Sequence, residues 1–320
     1  MDNMYALLYE YKMEELYILE SYILEPVNEG AIELVVNAIK LIFGTLFKMV
    51  KSVFDTIGSM FNMSSGGGSG CKTKLKNSKI NLNAKIEVSD ADIDRAIKDF
   101  VDDVEELEGA KMNELRSTLK ILLSSFTPNI NRFSTLYDTL IGSEVICDLK
   151  ANDYVKKVTN ALFPNGDIKY NQTATGVYTI DPESVGKYLY ESKKPNSFMS
   201  ANEAIKFTDK FKNLEKNFNI FKGRLARSYN ELQRELNIKY KDASSEELNK
   251  VKTKVFQNSS FINGLLIILT DMITNAMAYV GTISYIHLKL LKKNGKRWWV
   301  WITIYFYMNQ GCLNLKHLKL

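Results

Sequence analysis

A mainly α-helical fold is predicted: an elongated helical bundle with a long antiparallel helical hairpin and a small mixed α/β insertion. Three observations predict it. Apolar residues recur three and four positions apart over several long stretches, the spacing of one helix face. Pro128, Pro164, Pro182 and Pro195, four of the five prolines, crowd between residues 127 and 199, so helix breakers sit in one region and spare the rest. Ser200 with Glu203, and Ser244 with Glu247, have the spacing of capping boxes that open helices.

Composition narrows the chemistry. With 320 residues and 45% hydrophobic content the chain can bury a substantial core. Cys71, Cys147 and Cys312 are scattered and odd in number, which argues against a disulfide framework or a metal cage. His287 and His317 are the two histidines, so histidine catalysis has almost nothing to build on. No nucleophile, base and acid can be assembled, and no cofactor or metal site is expected; the expectation is a non-enzymatic protein.

The net charge of +5 is unevenly spread. Residues 1–33 carry eight acids against Lys12, a balance of −7, whereas the seven cations after Asp271 face no acid at all. End-to-end asymmetry of this kind marks interaction segments.

Residues 1–26 mix Tyr, Leu and Ile with Glu at near-helical spacing and lack the basic start of a secretory signal. Pro26 ends the segment, because proline disfavours helix in the residue before it. Three triplets share one form, Leu8-Tyr9-Glu10, Ile18-Leu19-Glu20 and Ile23-Leu24-Glu25. Taken singly, such a triplet is an incidental feature of an amphipathic docking helix. Together the segment resembles the acidic capsid-targeting peptides of internal head proteins of large tailed bacteriophages. The resemblance covers about 25 of the 320 residues. It implies docking on the assembling prohead and cleavage by a prohead protease after a Glu preceded two positions earlier by Leu or Ile. Glu10, Glu20 and Glu25 are the candidate processing sites it marks. Glu20, followed by Ser21, is favoured over Glu25, which precedes Pro26. The resemblance further implies other virion or capsid proteins as partners, with self-association, and a location in the virion after synthesis in the host cytoplasm.

Residues 27–63 contain one long amphipathic helix. At about 100° per residue, Glu33, Asn37, Lys40, Gly44, Lys48, Lys51, Asp55 and Asn62 form a narrow polar stripe, and most of the rest is Ile, Leu, Val, Phe or Met. Lys40 and Lys48 interrupt the run too early for a spanning helix. Burial within a bundle is favoured; the rival is an interfacial helix whose Lys40, Lys48 and Lys51 meet a membrane or a partner. Residues 64–79 follow as a Gly/Ser and Lys-rich linker and domain boundary. Gly66–Thr73 nearly spells a phosphate-binding loop, but Cys71 stands where the glycine before Lys72 is needed, and no hydrophobic strand precedes it.

A long acidic helix is predicted over residues 80–126, with nine Asp and Glu between positions 90 and 108 but no calcium-loop pattern. Residues 127–199 form the mixed insertion, with a hairpin expected where Ile168–Tyr170 and Val177–Ile180 flank residues 171–176. Its tyrosines at 154, 170, 178, 188 and 190 give either an aromatic recognition surface or a packed cap. Residues 200–290 are expected to form the antiparallel hairpin. Its first arm carries Phe207, Phe211, Leu214, Phe218, Phe221 and Leu225 at spacings of three and four. Its second arm is nearly charge-free from Phe261 to Leu288, where a bundle core and a membrane are the two environments on offer, and Asp271 weighs against lipid.

Residues 291–320 depart from everything before them. Trp298, Trp299 and Trp301 are all the tryptophans in the chain, and they follow a cluster of Lys and Arg. Cations beside tryptophans make an interfacial membrane anchor. Lost helical phase and missing acids fit equally well with translation out of frame, which the DNA in the other two frames decides. DNA as a partner stays open, since Lys-rich segments at 72–79 and 206–224 are often merely solvated. The alternative to a virion role is a membrane-associated helical protein, pore-forming or fusion-type, using residues 31–62, 261–288 and the tail.

Overall fold

The computed structural model describes residues 32–77, 126–174, 176–192, 198–211 and 213–291, with Asn83 and Ala91 as single positions. The acidic segment 1–26, nearly all of the acidic helix over 80–126 and the tail 292–320 lie outside the described residues. Seven α-helices and four short strands make up the described part, a mainly α fold with small two-stranded sheets.

The first helix, α1 (Ile32–Asn77), is 46 residues long. Val35, Ile39, Ile42, Leu46, Val50, Val53 and Ile57 are all buried, at the three- and four-residue spacing its pattern dictates. Glu33, Asn37, Lys40, Gly44, Lys48, Lys51 and Asp55 are exposed, as the polar stripe requires. The helix does not stop at residue 63: it runs through Gly66–Gly70 to Asn77, where composition points to a linker. Each glycine costs about 1 kcal/mol relative to alanine. No proline lies between Pro26 and Pro128 to remove a ladder hydrogen bond, and lengthening an existing helix is far cheaper than starting one.

The insertion opens on strand β1 (Phe126–Pro128), which pairs antiparallel with β4 (Tyr190–Ser192), Thr127 opposite Glu191. Between them lie α2 (Ile130–Gly142), a 3-10 turn at Val145–Cys147, α3 (Tyr154–Leu162), the hairpin β2 (Tyr170–Gln172) and β3 (Tyr178–Ile180), and α4 (Pro182–Leu189). Local chemistry fixes these starts. Asn129 accepts a hydrogen bond from the Arg132 backbone N–H to cap α2, and Asp181 accepts from Glu183 and Ser184 to cap α4, with Pro182 in its first turn. The hairpin turns at Gly176, whose φ of +81° suits glycine.

Residues 200–240 do not form one arm. They split into α5 (Ala201–Lys210) and α6 (Leu214–Lys239), broken at Phe211–Asn213. The break lets one aromatic stripe serve two partners. Phe207 meets Phe133 of α2 at 5.6 Å and Phe211 meets Tyr137 at 4.7 Å, while Phe218 packs on Phe47 and Phe54 of α1 at 5.8 and 5.5 Å. A single straight helix would aim all three at one neighbour.

After the turn at 240–244, α7 (Ser245–Leu291) runs for 47 residues. Its most extensive neighbour is α1, followed by α5 and β3, and few close backbone contacts join it to α6. The expected hairpin arms are therefore held apart by α1, which packs on both. Phe43 meets Tyr229 and Phe54 meets Phe218, so α1 runs antiparallel to α6.

Candidate functional site

Buried side chains of α7 hold the insertion in place. Asn258 donates through Nδ2 to the carbonyls of Leu149 and Ala151, at 2.7 and 3.3 Å. The Tyr190 hydroxyl donates to the Met272 carbonyl at 2.6 Å, and the Tyr279 hydroxyl lies 3.4 Å from Thr127 Oγ1. Tyr154, packed edge-on against Phe261, donates to the Ile146 carbonyl at 2.5 Å. Burial raises Tyr154, Tyr190 and Tyr279 above the usual tyrosine range, so all three stay neutral hydrogen-bonding anchors. Of the five tyrosines in the aromatic-surface reading, two are thus core residues. Tyr170 and Tyr178 remain toward the surface, edge to face at 5.7 Å.

Catalytic chemistry finds little purchase in these groups. Burial pushes the Cys147 thiol up to about 12, against the opposing pull of the nearby Arg224, which disfavours the nucleophilic thiolate. Among the described residues no group of three or more His, Cys, Asp or Glu could hold a metal ion. Gly66–Thr73 lies on helix α1, not on a loop after a strand, so its backbone cannot wrap a phosphate as such a loop does.

Three of the sequence-marked contact residues are described. Lys40, Lys48 and Lys51 are exposed on α1, and Lys51 pairs with Asp55 at 2.5 Å. Lys48, Lys51, Ser52, Asp55 and Thr56 line a shallow depression open to solvent. Glu10, Glu20 and Glu25, with Trp298, Trp299 and Trp301, lie outside the described residues.

Two groups escaped the sequence. The first is a basic row on α6, Lys216, Arg227 and Arg234, all exposed. The phase argument that finds the polar stripe of α1 finds this row as well when applied to α6. The second is Asn263, fully buried on α7 with neither amide atom hydrogen-bonded within the protein. The sequence carries no signal for its missing partners.

No protein-family model, curated protein or solved structure matches the chain. What it does must be argued from its own residues. Among the described residues α7 is the one helix long and apolar enough to cross a membrane: an 18-residue stretch within Ser245–Gly281 has a mean hydropathy of 1.5, with 65% of that stretch buried in the protein. Between Val251 and Ser284, only Lys254 and Gly281 are exposed among the described side chains. Thr270 and Thr274 donate to the carbonyls four residues back, both at 2.7 Å, the usual solution for hydroxyls on a crowded helix.

Proposed function

We propose that the chain is a non-enzymatic structural or assembly protein of a phage virion, docked through its acidic N-terminal segment and processed after Glu20 or Glu25. The observation that carries this is the triplet repeated at Glu10, Glu20 and Glu25 in an acidic, amphipathic segment. The fold supports it in one respect. Among the described residues the first buried one is Val35, ten positions beyond Glu25, so either cut leaves the whole described core attached to one chain. Cleavage after Glu20 would also remove five acids and one lysine, taking the net charge from +5 to +9, and cleavage after Glu25 would remove one acid more, taking it to +10. The partners on this reading are capsid proteins, further copies of the chain and the prohead protease.

A membrane-associated role is the second reading, favoured by the apolar length of α7. It requires α7 to leave the neighbours that bury it. Mass spectrometry of the mature protein in purified particles separates the two. A new N-terminus at Ser21 or Pro26 is expected; an intact Met1 in a fraction that needs detergent overturns the virion role and favours the membrane.

A further inference from the structure

We infer that the solvent face of α6 is a docking surface for the acidic N-terminal segment of the same chain, residues 1–25, folded back along the helix. Helical phase defines the face. At about 100° per residue, Lys216, Ile220, Arg227, Arg234 and Ile238 fall within about 40° of one another, and all five are exposed. The opposite side of α6 sets Phe218 and Tyr229 against α1 and buries Leu225, Leu232 and Leu236. On one flank, Asn217 donates to the Tyr137 hydroxyl and Ser228 to the Cys147 carbonyl. Among the described residues, the side that carries three cations and two isoleucines is the one left open.

Charge and tether select the occupant. Residues 1–31 carry seven acids against Lys12, interleaved with Tyr, Leu and Ile. Glu231 is the one exposed acid on the α6 face, and no ion pair engages Lys216, Arg227 or Arg234 among the described residues. Phe43 lies against Tyr229 and Phe54 against Phe218, and this antiparallel register sets Ile32, the start of α1, beside Tyr240 at the end of α6. Two helices on opposite sides of α6, each about 8–10 Å from its axis, are at most about 16–20 Å apart. The six residues between Glu25 and Ile32 span up to about 20 Å, enough to cross. Residues 7–25 as a helix would then extend about 27 Å, the rise from Ile220 to Ile238. The segment would run parallel to α6, with Glu25 near Ile238 and Leu7 near Ile220. Exposed ion pairs contribute little singly, but a short tether holds the segment at high local concentration, so weak contacts suffice.

A lipid surface fits this face less well. An interfacial helix buries a continuous apolar face in the bilayer. Between Ile220 and Ile238 the solvent side of α6 instead presents Gly223, Arg227, Asn230, Glu231 and Arg234. The isoleucines are two separate apolar contacts with cations between them, the complement of a segment in which carboxylates alternate with Leu, Ile and Tyr. Docking of this kind competes with every other partner of the acidic segment, and cleavage after Glu25 cuts its tether. It does not depend on what the segment meets outside the chain.

The test puts the photo-cross-linker benzoylphenylalanine in place of Ile220 or of Ile238 in the full chain and maps the products by mass spectrometry. The Ile238 probe is expected to join the neighbourhood of Glu25 and the Ile220 probe the neighbourhood of Leu7, both within one chain. Lys216→Glu/Arg227→Glu/Arg234→Glu, with wild-type circular dichroism, is expected to lower both yields at least about fivefold. Glu14→Lys/Glu15→Lys/Glu20→Lys is expected to do the same without altering a described residue, and the two sets combined are expected to restore the yields. Lys156→Glu/Lys157→Glu/Lys169→Glu, an equal reversal on exposed lysines of the insertion, is the control and is expected to keep them. Four results overturn the inference: no cross-link to residues 1–25, cross-links between two chains only, the two probes mapping in reverse order, or yields unmoved by either reversal. Binding to phosphatidylglycerol vesicles that the α6 reversal abolishes, with no cross-link to the segment, overturns it in favour of lipid. Particle mass spectrometry reads processing separately, so either idea can fail without the other.

Discussion

Helices α6 and α7 leave the same short turn, yet they live in different surroundings. On α6, Phe221, Leu225, Leu232 and Leu236 are buried along one face, and the opposite face is solvated and basic. On α7 nearly every described side chain from Val251 to Ser284 is covered, by α1 on one side and by α5 and the insertion on others. A helix apolar all round is either a membrane span or the centre of a core. In this fold α7 holds the central place, which accounts for its hydropathy without a bilayer. The difference teaches that hydrophobic length reports how many neighbours a helix has, not what they are made of.

The sharpest way to break the comparison is to put the same charge on each helix. Leu269 of α7 has no exposed surface, whereas Ile238 of α6 is 73% exposed. Leu269→Asp buries a carboxylate with no designed partner and is expected to cost roughly 4–5 kcal/mol or more, enough to abolish cooperative folding. Ile238→Asp is expected to stay within about 0.5 kcal/mol of wild type. Urea unfolding followed by circular dichroism measures both. A well-folded Leu269→Asp protein would show that α7 is not central.

Alkaline pH probes the same region. Tyr137, Tyr154, Tyr190 and Tyr279 are raised chiefly by burial, and Cys147 is raised from 9.0 to about 12 for the same reason. In the unfolded chain these groups ionise near their ordinary values, so above that range the unfolded state binds fewer protons than the native one. Stability therefore falls as pH rises. For Cys147 the contribution is complete below pH 9 and is lost between 9 and about 12. The melting temperature is expected to hold to about pH 9 and then decline steadily, by several kcal/mol of stability in total. The share of the tyrosinate absorbance that belongs to the four buried tyrosines should rise only with unfolding. Early titration of all the tyrosines in the native state would contradict their anchoring role.

Much of this arrangement was written in local patterns. The stripe of α1 from Glu33 to Asp55 is exposed residue for residue, since a 3.6-residue period leaves little choice. Ser200 forms its capping box with Glu203, and Ser244 and Glu247 exchange hydrogen bonds at the start of α7, because those side chains reach only adjacent backbone. The expected hairpin forms, but its first strand, Tyr170–Gln172, reaches two residues into the turn expected at 171–176. What sequence missed depends on distant partners. The break at Phe211–Asn213 follows from the separate demands of α2 and α1 on one aromatic stripe, and the pairing of β1 with β4 joins residues more than sixty apart. At Gly66–Gly70 propensity pointed to a linker, and the momentum of a long helix carried through. The exposure of Lys40, Lys48 and Lys51 on α1 was legible in helical phase.

The smallest effects come from two asparagines five residues apart on α7, and their signs should differ. Asn258 is 8% exposed and satisfied, gripping the carbonyls of Leu149 and Ala151. Replacing it with leucine of similar size removes both bonds and strands two buried acceptors, an expected loss of about 2–3 kcal/mol. Asn263 has no exposed surface and no hydrogen bond for either amide atom. It has already lost its water on folding, with no bond gained in return. Asn263→Leu removes that desolvation cost with a side chain of the same branched outline and is expected to stabilise the fold by about 1–3 kcal/mol. Chemical denaturation of the two variants beside wild type is sufficient. If both destabilise equally, Asn263 makes a polar contact that the static fold does not display, and the core around α7 is wetter than its burial implies. If the signs differ, α7 carries one polar residue that fastens the insertion and another that the fold tolerates at a cost.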